Sequence, residues 1–327
     1  MKTTLITGGL GFIGSNICEI LLKKKYTDKC ILLDNFGGYM NPINDGFVDF
    51  RKQRFSSLKN IIIERCDTSN YKALSFIINK YKPNYIYHTA ALPLAKVSNL
   101  NNEEAKISSV DSTTNIIDAI HFTKNSYRNF EFKRFIYFSS SMVYGDFKKS
   151  VVNENSEKNP KDAYGIMKLA GEIVTEGLCK LHGIPYTIIR PSAVYGPKDM
   201  NRRVSQIFIE NAFRNKEIYI QGKEEKLDFT FIKDLANGSI LAAKKKEGIN
   251  QIFNITCGKG QTLLSYVKYL KKKFPNLKYT IKERDKTKPS RGTLSINKAK
   301  KLLGYKPKYS LKEGIEEYFN FLEKNIK

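Results

Sequence analysis

An α/β fold built on a doubly wound parallel sheet is predicted by three observations. A short buried strand at residues 2–7 runs into the glycine turn Gly8-Gly9-Leu10-Gly11-Phe12-Ile13-Gly14, and a helical pattern follows over residues 12–22. A second apolar strand, Ile31-Leu32-Leu33, ends in Asp34, 20 residues after the last glycine. Strand and helix patterns then keep alternating as far as Arg190, the arrangement of a parallel sheet covered on both faces.

The elements follow in order. Residues 60–64 are apolar and lead to Cys66-Asp67; residues 71–81 have helical spacing; residues 85–88 form a strand that runs into Thr89-Ala90-Ala91. A long helix is expected over residues 103–123, a strand over 135–138 ending in Ser139-Ser140-Ser141, and a strand over 186–189 ending at Arg190-Pro191. In a sheet of this kind, functional groups collect at the carboxyl ends of the strands. The glycine turn, Asp34, Asp67, Ala90-Ala91, Ser140 and Arg190 all fall there.

The first βαβ unit has the chemistry of a dinucleotide site. Its glycines allow a tight turn and close backbone approach, and the helix start offers N–H groups and a positive dipole end to a pyrophosphate. Asp34 can accept from ribose hydroxyls, and its charge opposes a 2′-phosphate. No arginine stands in the glycine turn or directly after Asp34, so NAD is expected rather than NADP.

A second feature is Tyr164-Gly165-Ile166-Met167-Lys168, followed by Leu169, Ile173, Val174, Leu178 and Leu181 at helical spacing. Residues four apart share a helix face, which sets a phenol beside an ammonium on a stiff element. The spacing alone is common on amphipathic helices. It gains meaning from the cofactor half that precedes it.

Composition narrows the class. The 327 residues suffice for a large core and two lobes. No apolar run approaches the ~20 residues that span a bilayer, and no signal peptide precedes the glycine turn, so no membrane partner is expected. Five scattered cysteines (Cys18, Cys30, Cys66, Cys179, Cys257), odd in number and without a CxxC pair, point to reduced thiols and a cytoplasmic setting. The net charge of +24 comes with lysine runs at expected helix ends, such as residues 23–25, 244–246 and 271–273, where cations suit the dipole. No aromatic-interleaved basic stripe accompanies it, so no nucleic-acid partner is expected. His88 ends a strand among apolar neighbours and is expected to be packed and hydrogen-bonded; no metal site is expected, His121 and His182 included.

Taken together, these pieces resemble the extended short-chain dehydrogenase/reductase family, in its nucleotide-sugar epimerase/dehydratase branch. The resemblance is carried by residues 7–14, Asp34, Cys66-Asp67, residues 88–91, residues 138–145, residues 164–168, and Arg190-Pro191-Ser192-Ala193-Val194-Tyr195-Gly196-Pro197. Residues 228–234 and 300–307 continue it, so it spans nearly the whole chain in order. It implies a Rossmann-like NAD-binding domain over residues 1–190 and a smaller α/β substrate lobe over 191–327, with part of 228–255 returning to the first. With the strand ends, it implies a cofactor set of Gly8, Gly11, Phe12, Ile13, Gly14, Asp34, Asn35, Asp67, Thr68, Ala90, Ala91, Tyr164 and Lys168. It implies Ser140, Tyr164 and Lys168 as the catalytic group. A free phenol titrates at about pH 10, and Lys168 with the positive nicotinamide ring is expected to bring Tyr164 toward working pH.

The branch divides after the first oxidation. Its 4,6-dehydratases usually carry an acidic pair after the catalytic Ser/Thr; here Ser141 and Met142 stand there, and neither is an acid or base. A 4-epimerase of a nucleotide-diphosphate sugar is therefore expected by elimination, with a dehydratase or other ketosugar-forming enzyme as the alternative. A noncatalytic NAD sensor or nucleic-acid-binding protein would not need the Ser140–Tyr164–Lys168 set. On the substrate side, the resemblance points to Ser140, Ser141, Met142, Arg203 and Arg291. Relatives often have an arginine at the position of Leu227, and Lys226 is the expected substitute. Relatives also dimerise through two helices, here residues 103–123 and 163–182, so a homodimer is expected.

Overall fold

The computed structural model describes residues 2–37, 59–92 and 101–325. The first half opens with β1 (Thr3–Thr7), α1 (Phe12–Lys23), β2 (Lys29–Asp34), β3 (Ile61–Arg65), α2 (Tyr71–Tyr81) and β4 (Tyr85–His88). It continues with α3 (Asn102–Lys106), α4 (Ser112–Ser126), β5 (Arg134–Phe138), the short β6 (Val151–Val152), α5 (Ala163–Leu181) and β7 (Tyr186–Arg190). The second half has β8 (Val194–Tyr195), α6 (Val204–Phe213), β9 (Ile218–Gln221), β10 (Lys226–Leu227), β11 (Thr230–Phe231), α7 (Ile232–Lys244) and β12 (Gln251–Asn254). Last come β13 (Gln261–Thr262), α8 (Leu263–Lys273), β14 (Tyr279–Lys282), β15 (Thr293–Leu294), α9 (Asn297–Leu303) and α10 (Leu311–Asn325).

Among the described residues the main sheet has seven strands in the order β12-β7-β5-β4-β1-β2-β3. Every pairing within it is parallel. Strand periodicity sends neighbours to opposite faces: in β1, Ile6 joins a cluster with α1, α7 and α9, and Leu5 joins one with α2, α4 and α5. The chain reverses direction across the sheet between β1 and β4, and this is the switch point where doubly wound folds bind ligands.

α7 packs beside α1, β12 forms the edge strand, and Ala299, Leu303 and Tyr305 of the α9 region join the same core. The remaining lobe has its own core, in which Phe208 and Ile209 of α6 meet Tyr266 and Val267 of α8 and Ile315 and Phe319 of α10. No helix among the described residues is long and apolar enough to cross a membrane.

Two local departures from the expected elements bear on the site. The long helix at residues 103–123 is interrupted by a π-helical turn, Ile107–Asp111, between α3 and α4. Hydroxyls compete for its backbone acceptors: Ser112 Oγ donates to Ser108 O at 2.7 Å, Thr113 Oγ1 to Ser109 O at 2.6 Å and Thr114 Oγ1 to Val110 O at 3.0 Å. In α5 the apolar stripe is split between the core margin and the outside: Leu169, Val174 and Leu178 are half-buried against the cores, while Ile173 and Leu181 face out. Ile166 is exposed too, and the inner face carries Gly165, Lys168, Gly171, Glu172, Thr175 and Cys179. Gly171 is what lets α5 lie this close: a Cβ there would meet Tyr137 Oη at 2.1 Å.

Candidate active site

The cofactor half of the site is a cleft above the carboxyl ends of β1, β2, β3 and β4, lined among others by Gly8, Gly11, Asp34, Asp67, Ala90 and Ala91. Gly8 has φ +63°, and a Cβ at Gly14 would meet Gly8 O at 2.5 Å, so the turn closes only with glycine at both positions. Gly11 caps α1 without any side-chain bond, which leaves the first-turn N–H groups facing the cleft. Asp34 sits at the turn's rim, where Oδ2 accepts from Leu10 N at 3.1 Å and Oδ1 from Phe36 N at 3.0 Å. Asn35 Nδ2 donates to Asp67 Oδ2 at 2.9 Å, tying the ends of β2 and β3 together. An uncapped helix start and an acid at the second strand's end fit the pyrophosphate and ribose of NAD.

His88 is structural. Ala90 N donates to Thr7 Oγ1 at 3.3 Å, and Thr7 Oγ1 lies 2.7 Å from His88 Nδ1. His88 Nε2 lies 3.3 Å from Ser112 Oγ, which donates to Ser108 O. An imidazole protonated on Nε2 alone satisfies each member of this chain, and burial holds its pKa at about 3. The relay pins the Ala90-Ala91 wall of the cleft to the π-helical turn.

The second half is built from β5 and α5. Beyond β5, Ser140 begins a 3₁₀ turn (Ser141–Tyr144), its Oγ accepting from Met142 N at 3.2 Å. Asp162 caps α5 by accepting from Gly165 N at 2.7 Å, and a Cβ on Gly165 would meet Met142 O at 2.9 Å. Glycine therefore allows the first turn of α5 to seat against the turn carrying Ser140. The Ser140 hydroxyl lies near enough to the Tyr164 phenol to favour its ionised form. Lys168 Nζ, 5.9 Å from the Tyr164 ring centroid, donates to Phe138 O at 2.8 Å. Hydroxyl, phenol and amine thus converge at the carboxyl end of β5.

The electrostatics of this group differ from expectation. Burial pushes the Tyr164 phenol up, opposed by the Arg203 charge and the Ser140 hydroxyl, while Asp162 adds to the rise. Burial also brings the Lys168 amine down to about 7. In the protein alone, the positive charge acting on the phenol is that of Arg203.

The substrate side resolves a pair of neighbours. Arg202 turns its backbone N–H to Gln206 Oε1, 2.8 Å away, and its charge acts on the buried Glu210, which burial raises to about 7. Arg203 donates through Nη1 to Val194 O at 3.1 Å, and its Nε is buried without a hydrogen-bond partner. Arg291 has a buried Nε in the same condition; desolvation draws it to about 10 against the charges of Glu225 and Asp162. Lys226 behaves otherwise. It is exposed on β10 while Leu227 turns into the second lobe's core, so alternation along the strand puts the lysine on the face opposite the one a residue at 227 reaches. That geometry argues against the expected substitution.

Ser141 and Met142 are buried in the 3₁₀ turn. Residues 93–100 and 38–58 lie outside the described residues. Two cleft residues had no signal in the sequence, Met200 and Asn201, which reach the cofactor cleft from the segment before α6. The His121 and His182 rings stack with centroids 3.9 Å apart.

Comparison with known proteins agrees with this geometry. A profile of the NAD dependent epimerase/dehydratase family matches residues 4–256. An uncharacterised UDP-glucose epimerase of Bacillus subtilis, YtcB, is 30% identical over 97% of each chain. The dTDP-D-glucose 4,6-dehydratase of Dictyostelium discoideum is 28% identical over 78% of this chain and 58% of its own. Among solved structures, UDP-glucuronic acid 4-epimerase from Bacillus cereus, in complex with UDP-glucuronic acid and NAD, superposes with a TM-score of 0.85. It is 26% identical, with 98% of this chain and 99% of that one covered.

Proposed function

This chain belongs to the NAD-dependent epimerase/dehydratase family, and we propose that within it the protein inverts C4 of a nucleotide-diphosphate sugar. The observation that carries the reading is the meeting of Ser140, Tyr164 and Lys168 beside the dinucleotide cleft. The absence of an acid or base at positions 141 and 142 favours inversion over elimination.

NAD, when bound, supplies the hydride acceptor and later the donor for C4. The chain's own work is the proton and the geometry. Tyr164 takes the proton from the C4 hydroxyl, and Ser140, beside the phenol, holds the same oxygen. Lys168 has three N–H groups. One is committed to Phe138 O, which leaves the others for the nicotinamide ribose and the developing phenolate. The phenol begins as a weak base because it is buried, so its deprotonation waits for positive charge to arrive with the ligands.

Arg203 and Arg291 are assigned to the diphosphate. Each has a buried, unbonded Nε, and a guanidinium fork suits phosphate oxygens. Arg291→Leu is expected to raise KM for a nucleotide sugar by ~10–100-fold and to leave kcat nearly unchanged in steady-state assays, because the contact serves ground and transition states alike.

We assign the protein to the cytoplasm and to a homodimer formed by α4 and α5. The exposed Ile166 and Ile173, seven residues apart on one face of α5, and Phe122 on α4 support that pairing. Sedimentation of Ile173→Glu is expected to show monomer where the parent chain shows dimer.

The test of the reaction is a panel of nucleotide sugars followed by NMR. Inversion at C4 without net change in oxidation state supports the reading; accumulation of a 4-keto-6-deoxy product replaces it with a dehydratase.

A further inference from the structure

One turn beyond Lys168, α5 carries Glu172, which is 2% exposed. Arg190, fully buried at the end of β7, donates to it twice: Nε to Oε1 at 2.8 Å and Nη2 to Oε2 at 2.6 Å. Ser139 Oγ donates to Oε1 at 2.5 Å. Arg190 Nη1 is satisfied by Tyr144 Oη at 2.9 Å and Glu154 O at 3.0 Å, and Tyr144 donates in turn to Asn254 Oδ1 at 2.8 Å.

A buried ion pair is weak grounds for stability, since apolar replacements of similar volume are often neutral or better. Its place in this fold suggests another use. Glu172 shares the inner face of α5 with Lys168, four residues back. Ser139, which anchors Glu172, follows Phe138, whose carbonyl accepts from Lys168.

The other groups facing Lys168 from its surroundings are neutral or positive. From β5 comes the Tyr137 ring at 5.1 Å, its phenol kept protonated by burial, and from α5 the Tyr164 ring. β4 brings His88, neutral at working pH, and β7 brings Arg190, while Arg203 before α6 acts on the Tyr164 phenol. Burial disfavours the Lys168 cation, and the Glu172 carboxylate is the charge that opposes it.

We propose that Glu172 is a positioning residue for the reaction: clamped by Arg190 and Ser139, it supplies the fixed negative charge that keeps Lys168 an ammonium beside Tyr164. The inference rests on the catalytic reading of Tyr164 and Lys168 given above.

The test follows the Lys168 Nζ resonance by NMR in protein labelled with [15N]lysine, identifying it by its loss in Lys168→Met. It is titrated in the parent chain, in Glu172→Gln and in the double variant Glu172→Met/Arg190→Met, with thermal melting to establish folding. The double variant avoids leaving Arg190 buried and unpaired, and it decides the matter if Glu172→Gln does not fold. The midpoint is expected to move to lower pH by about one unit in each folded variant. The alkaline limb of kcat/KM moves with it, giving a roughly tenfold loss at about pH 8 that shrinks toward about pH 6. An unmoved midpoint, or a loss equal at every pH, overturns the proposal and leaves the pair a structural one. If Lys168→Met turns over normally, the catalytic reading falls together with the proposal; if Lys168 is required and the midpoint stays, only the role of Glu172 falls.

Discussion

Tyr164→Phe is expected to fold, to bind NAD as the parent chain does, and to lose turnover by ~10²–10⁴-fold. The change removes one oxygen from a ring whose position α5 and the 3₁₀ turn already fix, so the cofactor cleft is untouched. What is lost is the group able to accept the C4 hydroxyl proton. NAD affinity by calorimetry and turnover on the active nucleotide sugar check the two halves separately. A variant that loses both would place Tyr164 in cofactor binding alone, and near-normal turnover would remove it from catalysis.

Lys168→Met is expected to cost turnover ~10²-fold or more and to remove a pH dependence that the parent chain shows. The sign follows from burial, which brings the amine down to about 7. Below that value Lys168 is an ammonium able to stabilise the phenolate; above it the amine is neutral. The kcat/KM of the parent chain should therefore decline as pH rises through about 7, since this parameter reports groups of the free enzyme. Lys168→Arg, always charged, should lack that decline even if its activity is low. Folding stability obeys a related rule. Between about pH 7 in the folded chain and about 10.4 in the unfolded chain, the unfolded state binds more protons at this site, so Lys168 makes stability rise with pH.

These expectations depend on parts of the molecule that are unevenly written in its sequence. The glycine turn, Asp34 and the Tyr164–Lys168 spacing were legible because each expresses a short-range requirement: a turn closed by glycine, an acid at a strand end, two residues on one helix face. The alternation of apolar strands and helices likewise dictates the parallel sheet around them. The inward face of α5 was not legible. An apolar stripe ordinarily marks the buried side of a helix, but here Gly171 and Tyr137 bring α5 so close to the sheet that small and polar residues fill the contact. Ile173 and Leu181 are thereby left outside, while Val174 and Leu178 pack at the margin of the core.

Charge states were equally out of reach. A lysine four residues from a tyrosine reads as an activator, yet desolvation of both groups depends on how β5, β7 and α5 enclose them. Arg202 and Arg203 are indistinguishable in sequence, and only the turn before α6, with Arg202 at φ +53°, separates the one beside Glu210 from the one beside Tyr164. The reverse holds at Lys226 and Leu227, where a single step along β10 decides which side chain faces outward.

The most direct test of the account uses a nucleotide sugar carrying deuterium at C4. If Tyr164, Ser140 and Lys168 serve oxidation and reduction at that carbon, the inverted product retains the deuterium at C4, and Tyr164→Phe forms almost none of it. Inverted product that has exchanged its C4 deuterium for solvent hydrogen would contradict the account, since it would mean the carbon lost a proton and never a hydride.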